Sequence, residues 1–268
     1  MIDDDVALFG GDPNKACRAY SDPLFLTDYF MEAGHTAAVH NGTVTFVRRH
    51  GQVYACTCRH VMDAVHQSGV VTGSHPTAAL MYGRVRQNLS FWTVEGLRLG
   101  SRSPEGVGSD YQADVAIVWL GHTWDLLIKH KPKVAIDLDK WEPPPWNEVH
   151  MCCAAGYQDE HKSSDGRTVS SPMPLFHVKL ASEITSGTRE FTLNSTLAAP
   201  HGSYLSGMSG GPILAAWRDR FTPIGLIFEG EPSSAASSSL WAGPNDVLIR
   251  GLLLTPERFD TWLSALPH

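Results

Sequence analysis

SYLSGMSGGP, residues 203–212, sets a serine among glycines in the C-terminal quarter of the chain. A nucleophile has to stand on a tight turn that a bulky neighbour would block. Glycines permit such a turn and leave their N–H groups free to face a developing oxyanion. Ser209 is therefore the candidate nucleophile, and the N–H groups of Gly207 and Ser209 are the candidate oxyanion donors. A serine hydroxyl is a weak nucleophile at neutral pH, so the reading requires a general base and a group that orients it elsewhere in the chain.

Two segments upstream offer them. GTVTFVRR (42–49) and QVYACTC (52–58) are β-branched and aromatic runs around a His-Gly turn, which predicts a hairpin. RHVMDAV follows, so His60 is expected at the end of the second strand, with one helical turn over residues 61–66. A histidine on a rim is placed for proton transfer, although the chain has 13 histidines and a structural role is the plainer one. Asp114 heads the apolar run DVAIVWL (114–120) straight out of the Gly-, Ser- and Pro-rich loop SRSPEGVGSDYQ. A carboxylate at the buried mouth of a strand needs a partner. A histidine N–H would serve, and the alternative is a turn-capping aspartate.

Around these lie further strand-like runs. ALMYGRVR and LSFWTVEGLRLG precede Asp114, and EVHMCCAAGY, PLFHVKLASEIT, REFTLNSTLAA, PILAAW, FTPIGLIFEG and NDVLIRGLLL follow it. WEPPPW (141–146) cannot enter a central sheet and marks the passage between two halves. Leu24, Phe25, Tyr29 and Phe30 recur at helical spacing after Pro23, with Gly34 as a stop, and predict a short N-terminal helix. Thr255 caps and Pro256 opens a C-terminal helix with Phe259, Trp262 and Leu263 on its apolar face. The expected division is an extension over 1–35, a first unit over 36–128, a second over 129–254 and the final helix over 255–268.

Composition narrows the classes. At 43% hydrophobic and 18% charged, the 268 residues describe an ordinary globular chain. A formal charge of −7 argues against nucleic acid, which needs clustered Lys and Arg. The acidic start MIDDDVALFGG lacks the basic flank and apolar run of a secretion signal, and no stretch approaches the roughly 18 apolar residues of a membrane span. Five cysteines, an odd number without framework spacing, read as reduced thiols in a cytoplasmic protein.

His60, Asp114 and Ser209 occur in that order, with TCRHV, DVAIV and GMSGGP around them and the pair Gly156-Tyr157 between. On those motifs, residues 36–265 resemble a trypsin-like (chymotrypsin-fold) serine peptidase. The resemblance implies an all-β fold of two six-stranded antiparallel β-barrels with the active site in the cleft between them. It implies a cofactor-free, metal-free endopeptidase acting on protein or peptide substrates, with His60 as the base, Asp114 orienting it, and Gly207 and Ser209 supplying the oxyanion donors. By position, Ser203 and Tyr204 would line the primary pocket, while Phe228, Glu229 and Gly230 would form the strand along which substrate backbone adds. Glu229 would either attract a basic side chain or point to solvent.

Two positions depart from the family. Secreted, activated members carry an acid directly before the serine, which pairs with a newly cut N-terminus; here that position is Met208. Val61 stands where disulfide-bonded animal enzymes have a cysteine. Both point to the bacterial or intracellular type, whose oxyanion hole forms on folding or on binding a partner or substrate. A regulatory partner protein, or the first 35 residues, would then control it.

Three rival readings remain. GMSGG also fits the G-x-S-x-G elbow of α/β-hydrolases, but that fold wants Asp and then His after the serine, and only His268 follows. Cys56, Cys58 and His60, with His150 or Cys152, would offer zinc ligands, yet no C-x-x-C unit is present. Last, the fold would serve as a catalytically silent or conditionally activated module binding extended peptides.

Overall fold

The computed structural model describes residues 11–27, 41–64, 77–82, 85–89, 91–93, 98–99, 113–159, 163–164, 169–198, 205–231 and 245–266. Helix α1 (Pro13–Tyr20) opens them, capped by Asp12, whose carboxylate accepts from the N–H groups of Asn14 and Lys15 at 2.9 and 3.3 Å. Strand β1 (Ser21–Thr27) follows at once. The helix expected from Pro23 onward is thus a strand over the residues described; Tyr29, Phe30 and Gly34 lie outside them. Tertiary pairing overrides the local spacing, because β1 sits inside a sheet where Leu24 and Phe25 are both buried.

That sheet also contains β2 (Asn41–Arg49), β3 (Gln52–Thr57), β4 (Thr77–Tyr82), β5 (Val85–Leu89), β6 (Phe91–Thr93), β7 (Arg98–Leu99) and β8 (Ala116–Trp119). Its order is β5-β4-β1-β2-β3-β8-β6-β7. After helix α2 (His122–His130), the two-residue strand β9 (Ile136–Asp137) adds to β2 in parallel. The expected hairpin is present, with His50 and Gly51 both at positive φ (51° and 70°), as a turn that follows the strands' twist requires. Among the described residues this sheet has nine strands and is open, where a closed six-stranded barrel was expected.

The second half does close. Strands β10 (Met151–Ala155), β13 (Leu175–Leu180), β14 (Glu190–Thr196), β15 (Pro212–Trp217), β16 (Arg220–Glu231) and β17 (Asp246–Leu253) form an antiparallel barrel in the order β10-β13-β14-β17-β16-β15. Strands β11 (Ser163–Ser164) and β12 (Val169–Ser170) make a separate two-stranded ribbon. Helix α3 (Pro256–Ser264) ends the described chain as the sequence predicts, with Thr255 accepting from the Arg258 N–H at 3.3 Å.

The barrel interior holds Phe191, Leu193, Ile213 and Ile249 at 2% exposure or less. Each such side chain contributes roughly 2 kcal/mol by leaving water. A second cluster joins the two halves, bringing Cys17 of α1, Cys56, Ile117 and Ile136 of the sheet, Leu214 and Leu226 of the barrel, and Phe259 and Trp262 of α3 together. Two of the expected boundaries meet these elements differently. The division at 35/36 separates β1 from β2, its hydrogen-bonded neighbour, and the division at 128/129 falls inside α2.

Polar contacts lock the same junctions. Asp22 on β1, 2% exposed, receives the ammonium groups of Lys131 (2.9 Å) and Lys133 (3.0 Å) just after α2. Lys133 also donates to the Ser21 carbonyl. Burial of Lys133 pulls its pKa below the ordinary lysine value, partly offset by Asp22. Arg49, at the end of β2, clamps Asp260 of α3 with two bonds of 2.8 and 2.5 Å. All five cysteines are free and buried. No helix among the described residues is long and apolar enough to cross a membrane.

Candidate active site

Register explains why His60 and Asp114 meet. Strands β3 and β8 run antiparallel with Thr57 opposite Ala116, so the chain leaving β3 and the chain entering β8 emerge at the same end of the sheet. His60 lies three residues past that pair and Asp114 two before it. The strand stops at Thr57, and residues 59–64 are helical, so His60 belongs to a helical turn and not to a strand end as the sequence suggested.

Asp114 holds His60 at two points. Its Oδ1 accepts from the His60 backbone N–H at 3.0 Å, and its Oδ2 lies 2.5 Å from His60 Nδ1. An ionised carboxylate can only accept, so Nδ1 carries the ring proton and Nε2 keeps its lone pair. Nε2 is 3.0 Å from Ser209 Oγ. The hydroxyl can therefore donate to the imidazole, and the three side chains form one continuous hydrogen-bonded line. The imidazole is about half exposed and the carboxylate less so, at 49% and 28%.

Ser209 comes from the barrel half. It stands on the segment entering β15, tied down on both sides. The Gly210 N–H donates to the Ile227 carbonyl at 2.7 Å, and the Ile227 N–H returns to Gly211 at 2.8 Å. From the sheet side, the Thr43 N–H donates to the Ser209 carbonyl at 3.0 Å and the Thr45 hydroxyl to the Gly210 carbonyl at 2.7 Å. The nucleophile is thereby fastened to β2, the strand that pairs with the one leading to His60.

The turn just before it sets the candidate oxyanion donors. Met208 N–H closes on the Leu205 carbonyl at 3.2 Å, and Gly207 has φ +88°. A four-residue turn with its third residue at that φ is type II, a geometry that glycine reaches without strain. Among the described residues, neither the Gly207 nor the Ser209 N–H donates a hydrogen bond, so both are available to a ligand. Met208, in the position noted above, is fully buried in the barrel core beside Gly156.

Of the other expected positions, Ser203 and Tyr204 lie outside the described residues. Phe228, Glu229 and Gly230 belong to β16. Pairing of β16 with β15 ends at Leu226, while pairing with β17 continues through Glu231, which leaves residues 228–231 with one edge not paired to β15. Phe228 O lies 3.5 Å from Ser209 Oγ, so this edge runs past the nucleophile. Glu229 is already engaged: Arg250 binds it at 2.6 Å, binds Glu190 at 2.8 Å, and lies 4.9 Å from the Phe228 ring centroid. That pairing, which the sequence did not reveal, spends the charge that was considered for attracting a basic side chain. Cross-strand alternation could have flagged it only once the register Glu229 to Arg250 was known.

For a metal ion, Cys58, His60 and Asp114 place one ligand atom each within 4.8 Å of one another. The thiol is 1% exposed and donates to the Ile227 carbonyl at 3.1 Å. Burial, and then the charge of Asp114, push its pKa well above the ordinary thiol value. Cys56 does not join it, since the two thiols sit in different core clusters. The rival zinc set weighed from the sequence, which paired Cys58 and His60 with Cys56, is therefore not the cluster found.

No family model matches the sequence, and no curated protein matches it. Among solved structures the chain is similar to chymotrypsin-fold serine proteases. One is AL20, a thermostable serine protease from an extremophilic microorganism, at 13% identity and TM-score 0.46 over 92% of this chain and 96% of that one. Another is neuropsin, a serine protease expressed in the limbic system of mouse brain, at 14% identity and TM-score 0.45 over 92% of this chain and 93% of that one. Likenesses this loose leave the functional reading to rest on the site's own atoms.

Proposed function

We propose that the protein is a serine endopeptidase that hydrolyses peptide bonds of protein substrates through Ser209, His60 and Asp114. The observation that carries the proposal is the line from Asp114 Oδ2 through His60 Nδ1 and Nε2 to Ser209 Oγ, at 2.5 and 3.0 Å. A nucleophile, a base in the correct tautomer and an orienting carboxylate stand in the order the chemistry needs.

In the reaction, Ser209 Oγ bonds to the scissile carbonyl carbon as its proton passes to His60 Nε2. The carbonyl π electrons move to oxygen, and the N–H groups of Gly207 and Ser209 hold that oxyanion, each worth on the order of 3 kcal/mol. Asp114 stays ionised and stabilises the imidazolium. Collapse re-forms the carbonyl, breaks the C–N bond and delivers the His60 proton to the leaving amine, leaving an ester on Ser209. Water, deprotonated by His60, then hydrolyses the ester and restores the hydroxyl. The edge of β16 at residues 228–231, which among the described residues is not paired to β15, supports binding of an extended substrate as an added strand.

The same reading takes the first half as a second barrel and the site as the cleft between two. Five free, buried thiols fit a reducing, cytoplasmic setting. A mixed peptide library incubated with the full chain tests the activity. Cleavage by the wild type that disappears in Ser209→Ala and His60→Ala supports it. Peptides bound but left intact by the wild type would instead mark a binding module.

A further inference from the structure

Within the peptidase reading, we propose that Thr43 is a positioning residue for the oxyanion turn. Its hydroxyl reaches from β2, in the opposite half of the molecule, to fix the Gly207 carbonyl and with it the place from which the Gly207 N–H faces the site. Thr43 Oγ1 accepts from the Tyr157 N–H at 2.9 Å and donates to the Gly207 carbonyl at 3.0 Å. A hydroxyl has a single proton, and with Tyr157 occupying a lone pair that proton is committed to Gly207. The Thr43 backbone is fixed in turn. Its carbonyl accepts from the Thr57 hydroxyl at 2.8 Å, and its N–H holds the Ser209 carbonyl at 3.0 Å.

The geometry shows what this bond controls. The peptide joining Ser206 to Gly207 carries the Ser206 carbonyl on one side and the Gly207 N–H on the other, because a trans peptide points them in opposite directions. The Asp159 N–H binds that carbonyl at 3.1 Å, and the Asp159 carboxylate accepts from the Ser206 hydroxyl at 3.2 Å. The Gly207 N–H is thereby turned away from Asp159. The competing arrangement is a type I turn, in which this peptide is flipped, Gly207 takes a negative φ and the Ser206 carbonyl replaces the N–H donor. Such a flip breaks the Asp159 bond to the Ser206 carbonyl but leaves the next peptide in place, with the Met208 N–H on Leu205 and the Gly207 carbonyl on Thr43; Asp159 therefore selects the turn type, and Thr43 fixes where the turn stands against β2. Met208, apolar and buried, anchors the turn's end but offers no charge to do this.

Thr43→Val, which keeps the shape and removes the hydroxyl, is expected to lower kcat about 10- to 100-fold, because it leaves the Tyr157 N–H and the Gly207 carbonyl without their partner. KM should change by less than about twofold, the mark of an interaction felt in the transition state. Thr43→Ser should restore kcat to within about twofold of wild type. A peptide aldehyde, whose adduct puts an oxyanion in the hole, should lose affinity by the same factor as kcat/KM. Binding of the uncleaved peptide, measured in a Ser209→Ala background, should not change. Equal kcat in wild type and Thr43→Val, or equal losses for aldehyde and uncleaved peptide, overturns the assignment. If Thr43→Val does not fold, Thr43→Ala, which removes the same hydroxyl with less bulk, is expected to show the same split between kcat and KM; no split there also overturns it. A wild type that neither cleaves peptides nor binds the aldehyde would sink the peptidase reading itself, an outcome distinct from an active wild type matched by Thr43→Val.

Discussion

Replacing Gly210 with alanine should destabilise the protein more than a backbone argument alone suggests. Gly210 has φ +90°, which for an L-residue costs about 1–2 kcal/mol. A Cβ there would stand 2.0 Å from the Thr43 carbonyl oxygen, 2.7 Å from Thr57 Oγ1 and 2.9 Å from Thr57 Cα. Two of these atoms, the nearest included, are backbone and cannot swing aside, so the seam between β2 and the nucleophile segment must open at about 1–3 kcal/mol. Opening it lengthens the bonds from Thr45 Oγ1 to Gly210 O and from Gly210 N to Ile227 O, both 2.7 Å, at about 1 kcal/mol each. The expected total is roughly 4–7 kcal/mol, a large fraction of a domain's 5–15. At about 2–4 °C per kcal/mol the melting temperature should drop by at least about 8 °C. Gly51→Ala is the control: φ is +70° but nothing lies within 4 Å of its Cβ, so only the backbone cost of about 1 kcal/mol remains. Urea unfolding of both variants measures the difference, and equal losses would refute the packing argument.

Other perturbations reach other junctions. Asp22→Asn leaves Lys131 and Lys133 facing a neutral amide in a buried site and should cost about 3–5 kcal/mol in urea unfolding. The hydrogen bond from Arg49 is the main reason the Asp260 carboxyl lies below the usual aspartate range. A depressed folded pKa contributes stability above the unfolded value near 3.9, and that contribution is lost as pH falls through the folded one. Asp260→Asn should therefore flatten the stability curve below about pH 4, by no more than about 1 kcal/mol because the pair is partly exposed. Burial pushes Cys153 up to about 11 and Cys152 up to about 12. A chromogenic thiol reagent at pH 8 should accordingly react with none of the five cysteines in the folded protein and with all of them in denaturant.

What the sequence showed follows from which features are local. The barrel strands were legible because β-branched and apolar runs such as PILAAW and NDVLIRGLLL are bounded by Gly, Pro and Asn, and α3 because Thr255 and Pro256 announce it. Chain order and flanking residues were enough to single out His60, Asp114 and Ser209. Long-range pairing was not legible. Leu24 and Phe25 keep helical spacing yet lie in a strand, because β2 and β4 flank them from far along the chain. Helix α1 escaped notice for a related reason: PNKACRAY is short and polar on average, and its cap, Asp12, sits in a run of Asp and Gly that reads as turn. The open first sheet, the Glu229–Arg250 pair and the Thr43 contacts all depend on registers between separate strands, which periodicity within one strand does not encode.

The central claim is that the Ser209 hydroxyl is activated by His60 as the chain folds. Incubation with a fluorophosphonate probe, followed by peptide mapping in a mass spectrometer, reads this directly. The account expects one adduct per chain, on Ser209, with labelling abolished in Ser209→Ala and slowed by orders of magnitude in His60→Ala. An unlabelled wild type, or a His60→Ala variant labelled as fast as wild type, would contradict it.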